Sequence, residues 1–101
     1  MNTHNIGITP TIGRRVWYRP SVGERSALGV WDGGQQPLDA GICYVWNDRM
    51  VNLTIAGPDG KMHSRTSVKL LQPGEPVPEG MSYAEWMPYQ TAQAAKAAPA
   101  A

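Results

Sequence analysis

Arg15, Trp17 and Arg19 stand at alternate positions in the run Arg14-Arg15-Val16-Trp17-Tyr18-Arg19. In an extended chain alternate residues share a face, so this spacing predicts two guanidiniums flanking one indole. Such a trio can stack a ring while pairing phosphate oxygens. Four of the six arginines (Arg14, Arg15, Arg19, Arg25) fall between residues 14 and 25, with Glu24 the one acid among them. The competing arrangement packs Trp17 beneath the 20–38 segment and leaves the arginines solvated. A second polar set, Asn52, Thr54, Arg65 and Ser67, lies on two later segments and is expected to face away from Val51, Leu53 and Val68. It either contacts a ligand or makes cross-strand hydrogen bonds on a solvent face.

Catalytic chemistry has less to work with. His4 falls in an N-terminal arm, and His63 lies on a polar strand face with no acid–base partner in view. Cys43, between Ile42 and Tyr44, reads as a buried structural thiol. Asp48 and Asp59 belong to turns, where their side chains cap backbone groups. No phosphate loop, dinucleotide fingerprint or metal-ligand spacing occurs, and Pro58-Asp59-Gly60-Lys61 reads as a hairpin turn. The expectation is a binding protein, not an enzyme, with no cofactor and no metal.

These side chains must be positioned by strands. The dominant period is two: Val16 and Tyr18 point inward, as do Val51, Leu53 and Ile55, with Asn52 and Thr54 outward. Residues 41–46 are apolar on both faces and read as a well-covered strand. Asn47-Asp48 and Gly57-Pro58-Asp59-Gly60 supply turns. In the segment 61–71, Met62, Ser64, Thr66, Val68 and Leu70 are expected on one face. Residues 20–38 hold four glycines and no sustained period; they read as a long excursion, with an irregular hairpin near Val30-Trp31. Residues 72–80 form a Pro/Gly-rich connector. Ser82-Tyr83-Ala84-Glu85 matches a capping box, although a closing strand through Trp86 is the preferred assignment. The sum is a mostly β fold: a small antiparallel SH3-like barrel of about five strands with a long first loop and flexible termini. The boundaries are an arm at 1–11, the barrel at 12–89, and an Ala/Pro-rich tail at 90–101, read as disordered.

Composition bounds the function. The chain has 101 residues, enough for one domain. A net charge of +1 argues against a broadly basic nucleic-acid binder. The charge is uneven: residues 1–31 carry four arginines and one glutamate. One cysteine excludes a disulfide framework within the chain. No apolar run approaches the roughly 20 residues that span a bilayer. The N-terminus has no basic region followed by an apolar one, so export is not expected.

Ordered blocks of residues carry a resemblance. Pro10-Thr11-Ile12-Gly13-Arg14 precedes Val16-Trp17-Tyr18; Val51-Asn52-Leu53-Thr54, Pro58-Asp59-Gly60 and Arg65-Thr66-Ser67-Val68 follow, then Trp86-Met87-Pro88. This resembles small tailed-phage and prophage proteins that open Pro-Thr-Ile-Gly-Arg, an aliphatic pair, His, Tyr. The present chain has Arg15 in place of an aliphatic residue, Trp17 in place of the His, and a longer 20–38 loop. The resemblance implies a phage origin and a small β-rich fold, and no particular activity. The expected function is a phage accessory protein in the host cytoplasm that sequesters a small, nucleotide-like anionic ligand as an anti-defence device, or blocks a host factor. Its expected partners are itself, as a homo-oligomer, or a phage or host protein. The alternatives are a virion component, such as a head-decoration or joining protein, and a small nucleic-acid-binding barrel; a membrane partner is not expected.

Overall fold

The structure is a computed structural model and describes residues 7–97. Five strands, β1 (Arg15–Arg19), β2 (Leu38–Asn47), β3 (Met50–Ala56), β4 (Met62–Leu71) and β5 (Tyr83–Glu85), close into a barrel in the order β1-β2-β3-β4-β5. The fold is therefore the expected small, mostly β barrel of SH3-like size and strand number. Its pairings are antiparallel except for one: β4 and β5 run parallel, with Leu70 opposite Ala84 and Leu71 opposite Glu85. A parallel neighbour needs a crossover rather than a hairpin, and the 72–80 connector supplies it. β5 is the short closing strand expected to run through Trp86, and it ends at Glu85; the segment is not a helical turn.

The core follows the period of two. Val16, Tyr18, Ala40, Val51, Leu53, Ile55, Leu70 and Ala84 are fully buried inside the barrel. β3 alternates as read, with Val51, Leu53 and Ile55 inward. Both tight turns form, and Asp59 caps its turn as expected, its Oδ1 accepting the Lys61 N–H at 2.9 Å. The first turn is capped by Asn47 in place of Asp48, Asn47 Oδ1 accepting the Arg49 N–H at 2.8 Å.

Three segments depart from the sequence reading. The 20–38 excursion has no hairpin at Val30-Trp31; it holds one 3-10 turn, Val22–Glu24, and inserts Leu28 and Val30 into the core. Burial of two branched side chains replaces backbone pairing as the force that orders it. The stretch from residue 90, read as a disordered tail, begins instead within a helix, α1 (Pro88–Ala97). Pro88 has the φ a first helical residue needs, and the buried Gln90 accepts the Met87 N–H at 2.7 Å while donating to Arg15 O at 2.9 Å. A helix too short to stand alone is thus held by tertiary contacts, including Ala94 against the core. Residues 98–101 lie outside the described part, as do residues 1–6 of the arm. The arm's described end is docked, with Ile8 and Pro10 buried.

A clasp holds that end. Gln72 accepts the Ile8 N–H at 2.8 Å and donates back to Ile8 O at 3.0 Å and to Asp48 O at 2.6 Å. Glu75 completes it, accepting the Gln72 N–H at 2.8 Å and Arg49 Nε at 2.6 Å. The Gln72 amide first, then the Arg49 guanidinium, holds the Glu75 carboxyl below its ordinary value of 4.5. A carboxyl lowered in the folded state stabilises the fold above its ordinary value and loses that contribution as pH falls through the lowered one. The expected result is a melting-temperature advantage of the wild type over Glu75→Gln that is constant at neutral pH and shrinks below about pH 4.5. A difference that stays constant down to pH 2 would show that the carboxylate charge is irrelevant to the clasp.

Candidate functional site

Two β-bulges face one asparagine. In the β2–β3 ladder the register slips between Ile42 and Tyr44; in the β3–β4 ladder it slips between the partners of Val51 and Leu53. Asn52 is the β3 residue at both irregularities. Its Oδ1 accepts Trp46 Nε1 at 2.9 Å and the backbone N–H of Ser67 at 2.8 Å. Ser67 has φ 55°, the left-handed region that a residue with a Cβ rarely adopts. The Asn52 carboxamide accepts the N–H that this conformation turns away from the ladder. Bulges commonly re-aim side chains at functional sites.

Each bulge reverses the alternation beyond it, and this corrects three readings. Residues 41–46 are not covered on both faces: Cys43, Tyr44 and Trp46 are exposed, and Val45 turns inward instead. Cys43 is thus an exposed thiol, not a buried one. On β4, Met62, Ser64 and Thr66 are exposed whereas Val68 and Leu70 are buried, so the five do not share a face. Arg65 does not stand with Asn52 and Thr54. It lies opposite Leu53 on the inward-directed side, while Thr54 lies opposite Ser64 on the outer one.

Arg65 instead joins a polar cluster at the barrel mouth. Its Nε donates to Glu24 Oε2 at 3.3 Å, and the Tyr18 hydroxyl donates to Glu24 Oε1. Burial, reinforced by the Glu24 carboxylate, raises the Tyr18 hydroxyl to about 12, so it stays a neutral donor across the physiological range. Glu24 comes from the excursion, so the same ion pair closes that segment onto β4.

Beside this cluster opens a cavity of about 470 Å³. Tyr18 and Arg65 line it from one side, Ser67 and Lys69 from the bulged strand, and Arg49 and Met50 from the β2–β3 turn. Three cations reach this space, and no carboxylate of the described residues lines it. Arg49 is tethered to Glu75, and Arg65 to Glu24, through Nε. Arg65 Nη1 also donates to Ser64 O at 2.8 Å, so the terminal N–H groups that remain for a ligand are those of Arg49 and of Arg65 Nη2. Among the described residues Lys69 has no carboxylate within 4.0 Å.

The face of β1 is different. Arg15, Trp17 and Arg19 do share it, as expected, and the Arg19 guanidinium sits 5.6 Å from the Trp17 ring centre. But Trp17 is flanked in register by Asp39 on β2 and Glu85 on β5. Arg15 bridges to Asp39 at 2.6 Å and Arg19 to Glu85 at 2.8 Å. Arg15 reaches Asp39 by lying across Gly41, where a Cβ would come within 2.6 Å of its Nη1. This face presents two matched ion pairs around a half-buried ring.

Of the residues singled out in sequence, the structure thus brings Arg65 and Ser67 to the cavity, uses Asn52 to set its wall, and leaves Thr54, Arg15, Trp17 and Arg19 on the outer surface. Tyr18, Arg49, Met50 and Lys69 were not foreseen there. The Met50–Lys69 pairing arises only once the bulge is counted. No group of three or more His, Cys, Asp or Glu among the described residues could hold a metal ion, and no described helix is long and apolar enough to cross a membrane. No protein-family model matches the chain, and neither the curated proteins nor the solved structures contain a match to it.

Proposed function

We propose that this protein is a non-catalytic binding module whose ligand is a small anion seated in the Arg49–Arg65–Lys69 cavity. The observation that carries this reading is a concave site lined by three cations and, among the described residues, no carboxylate. Its size falls within the usual range of small-molecule pockets, and two of its cations are held in place by carboxylates outside the lining. Fixed guanidiniums lose less side-chain entropy on binding than free ones. Both sites pair their arginines with carboxylates, but the cavity adds Lys69, which has no carboxylate within 4.0 Å among the described residues, so the β1 face offers less to an anion. The ordered phage-like blocks support an accessory role for such a module during infection, where sequestering a nucleotide-like anion is the concrete form.

Titration of the full chain with inorganic pyrophosphate tests the reading. Binding is expected to weaken as ionic strength rises. Lys69→Ala should cost about 1–2 kcal/mol, the value of a charge-assisted contact, with little change in melting temperature. Arg15→Ala should leave affinity unchanged. No heat of binding and no thermal stabilisation at millimolar pyrophosphate would overturn the proposal, as would an Arg15→Ala loss equal to that of Lys69→Ala.

A further inference from the structure

We infer that the anion carries an aromatic ring, and that Trp46 is the side chain on which the ring stacks: the ligand class is a free nucleotide. The inference rests on the anion-cavity reading and adds an independent observation, an exposed indole whose N–H shares one Asn52 oxygen with the cavity residue Ser67.

Trp46 is 55% exposed and its neighbour Tyr44 is 47% exposed. Large aromatic side chains contribute most when buried, so leaving two together in solvent calls for a reason. Neither is loosely held. The rings meet edge to face, with centroids 4.8 Å apart and planes at 72°. The Trp46 indole N–H is bound by Asn52 Oδ1, the same oxygen that accepts the Ser67 N–H. Ser67 is itself a wall of the cavity. One carboxamide therefore sets the cavity wall and the indole together.

β2 slips twice, between Ile42 and Tyr44 and between Val45 and Asn47, and the first slip turns the two rings outward while Trp46 lies at the second. Without the slip at Cys43, alternation from the buried Ile42 would direct Tyr44 and Trp46 into the barrel. Met50 lines the cavity, and its thioether suits the edge of a ring. A ligand spanning this site needs a flat π-face at the Trp46 end and negative charge at the Arg49–Lys69 end. A nucleobase joined through a sugar to phosphate has that chemistry. The near-neutral chain favours a single nucleotide over a polynucleotide, whose affinity would depend on many phosphate contacts.

The test compares ADP, GDP, CDP and UDP with inorganic pyrophosphate, all titrated into the full chain, so that only the nucleoside differs. At least one nucleoside diphosphate is expected to bind about tenfold more tightly than pyrophosphate, the scale of one stacked base. Trp46→Ala should erase that margin while leaving pyrophosphate affinity within about twofold, because the indole is expected to contact the base and not the phosphates. Trp46→Phe keeps an aromatic face and should retain most of the margin. It also covers the case in which Trp46→Ala fails to fold. Equal affinity for pyrophosphate and all four nucleotides would overturn the inference and leave the anion reading standing. Equal losses for both probes in Trp46→Ala, or in Trp46→Phe if only that variant folds, would do the same, since they would mark Trp46 as scaffold. Tighter binding of a short single-stranded oligonucleotide than of any mononucleotide would assign the site to nucleic acid and overturn it. Absence of binding by either probe would remove both proposals.

Discussion

Leu28→Ala is expected to destabilise the protein by about 2–5 kcal/mol, the range for truncating a leucine that leaves a cavity in a packed core. The residue lies on the 20–38 excursion, where a loop substitution would ordinarily cost less than about 0.5 kcal/mol. Its burial decides between the two: Leu28 is 1% exposed and belongs to the same cluster as Val16, Leu53 and Ile55. Its carbonyl oxygen also lies 2.8 Å from where a Cβ on Gly57 would stand, so the segment rests directly on the β3–β4 turn. Val22→Ala on the same segment is the control, because Val22 is exposed. It should change stability by no more than about 0.5 kcal/mol. Urea denaturation of both variants checks this. A Leu28→Ala cost under about 1 kcal/mol would mean that the excursion only drapes over the barrel.

The contrast between β3 and its neighbours explains what the sequence makes legible. On β3 each residue from Met50 to Ala56 obeys simple alternation, so its buried face was readable from residue types alone. β2 and β4 obey it only up to their bulges. Counting pairs back from the Gly57–Gly60 turn puts Val51 opposite Ser67; the bulge puts it opposite Val68. A one-residue slip of this kind exchanges the two faces for every residue beyond it, and it leaves no mark in a periodicity. The slip on β4 is why alternation from Val68 groups Arg65 with Thr54; Cys43 reads as buried for another reason, the apolar residues on both faces of 41–46.

The candidate site was half legible for the same reason. Arginines and a tryptophan at alternate positions were rightly placed on one β1 face. Whether they were free to bind depended on Asp39 and Glu85, which lie 24 and 66 residues from their partners. Long-range charge matching of this sort is set by register, not by local spacing. The cavity draws on Tyr18, Arg49, Arg65 and Lys69, which no motif joins. Glu24 then gives the long excursion a place in the site: it fixes Arg65 from outside the lining, so the segment that plugs the barrel also orients one of its cations.

Gln72 should prove the most costly single polar side chain to remove. It is 5% exposed and joins three backbone groups, Ile8 N, Ile8 O and Asp48 O, from two distant parts of the chain. Gln72→Ala withdraws every one of those contacts. An orphaned buried polar group costs about 1–3 kcal/mol, and entry of water or release of the arm relieves part of the total. The expected net loss is therefore about 2–4 kcal/mol. Gln72→Glu separates hydrogen bonding from packing. It preserves volume but replaces the donating amide with a carboxylate facing the Ile8 and Asp48 carbonyls, and a buried charge facing acceptors is worse than a cavity. At pH 7 it should be at least as destabilising as Gln72→Ala, and it should partly recover at acid pH, where a protonated carboxyl can donate again. Hydrogen exchange gives the local readout, since the Ile8 amide should lose protection in both variants before the β3 amides do. A Gln72→Ala cost within about 0.5 kcal/mol of zero, with Ile8 still protected, would show that the arm is held by burial of Ile8 and Pro10 alone.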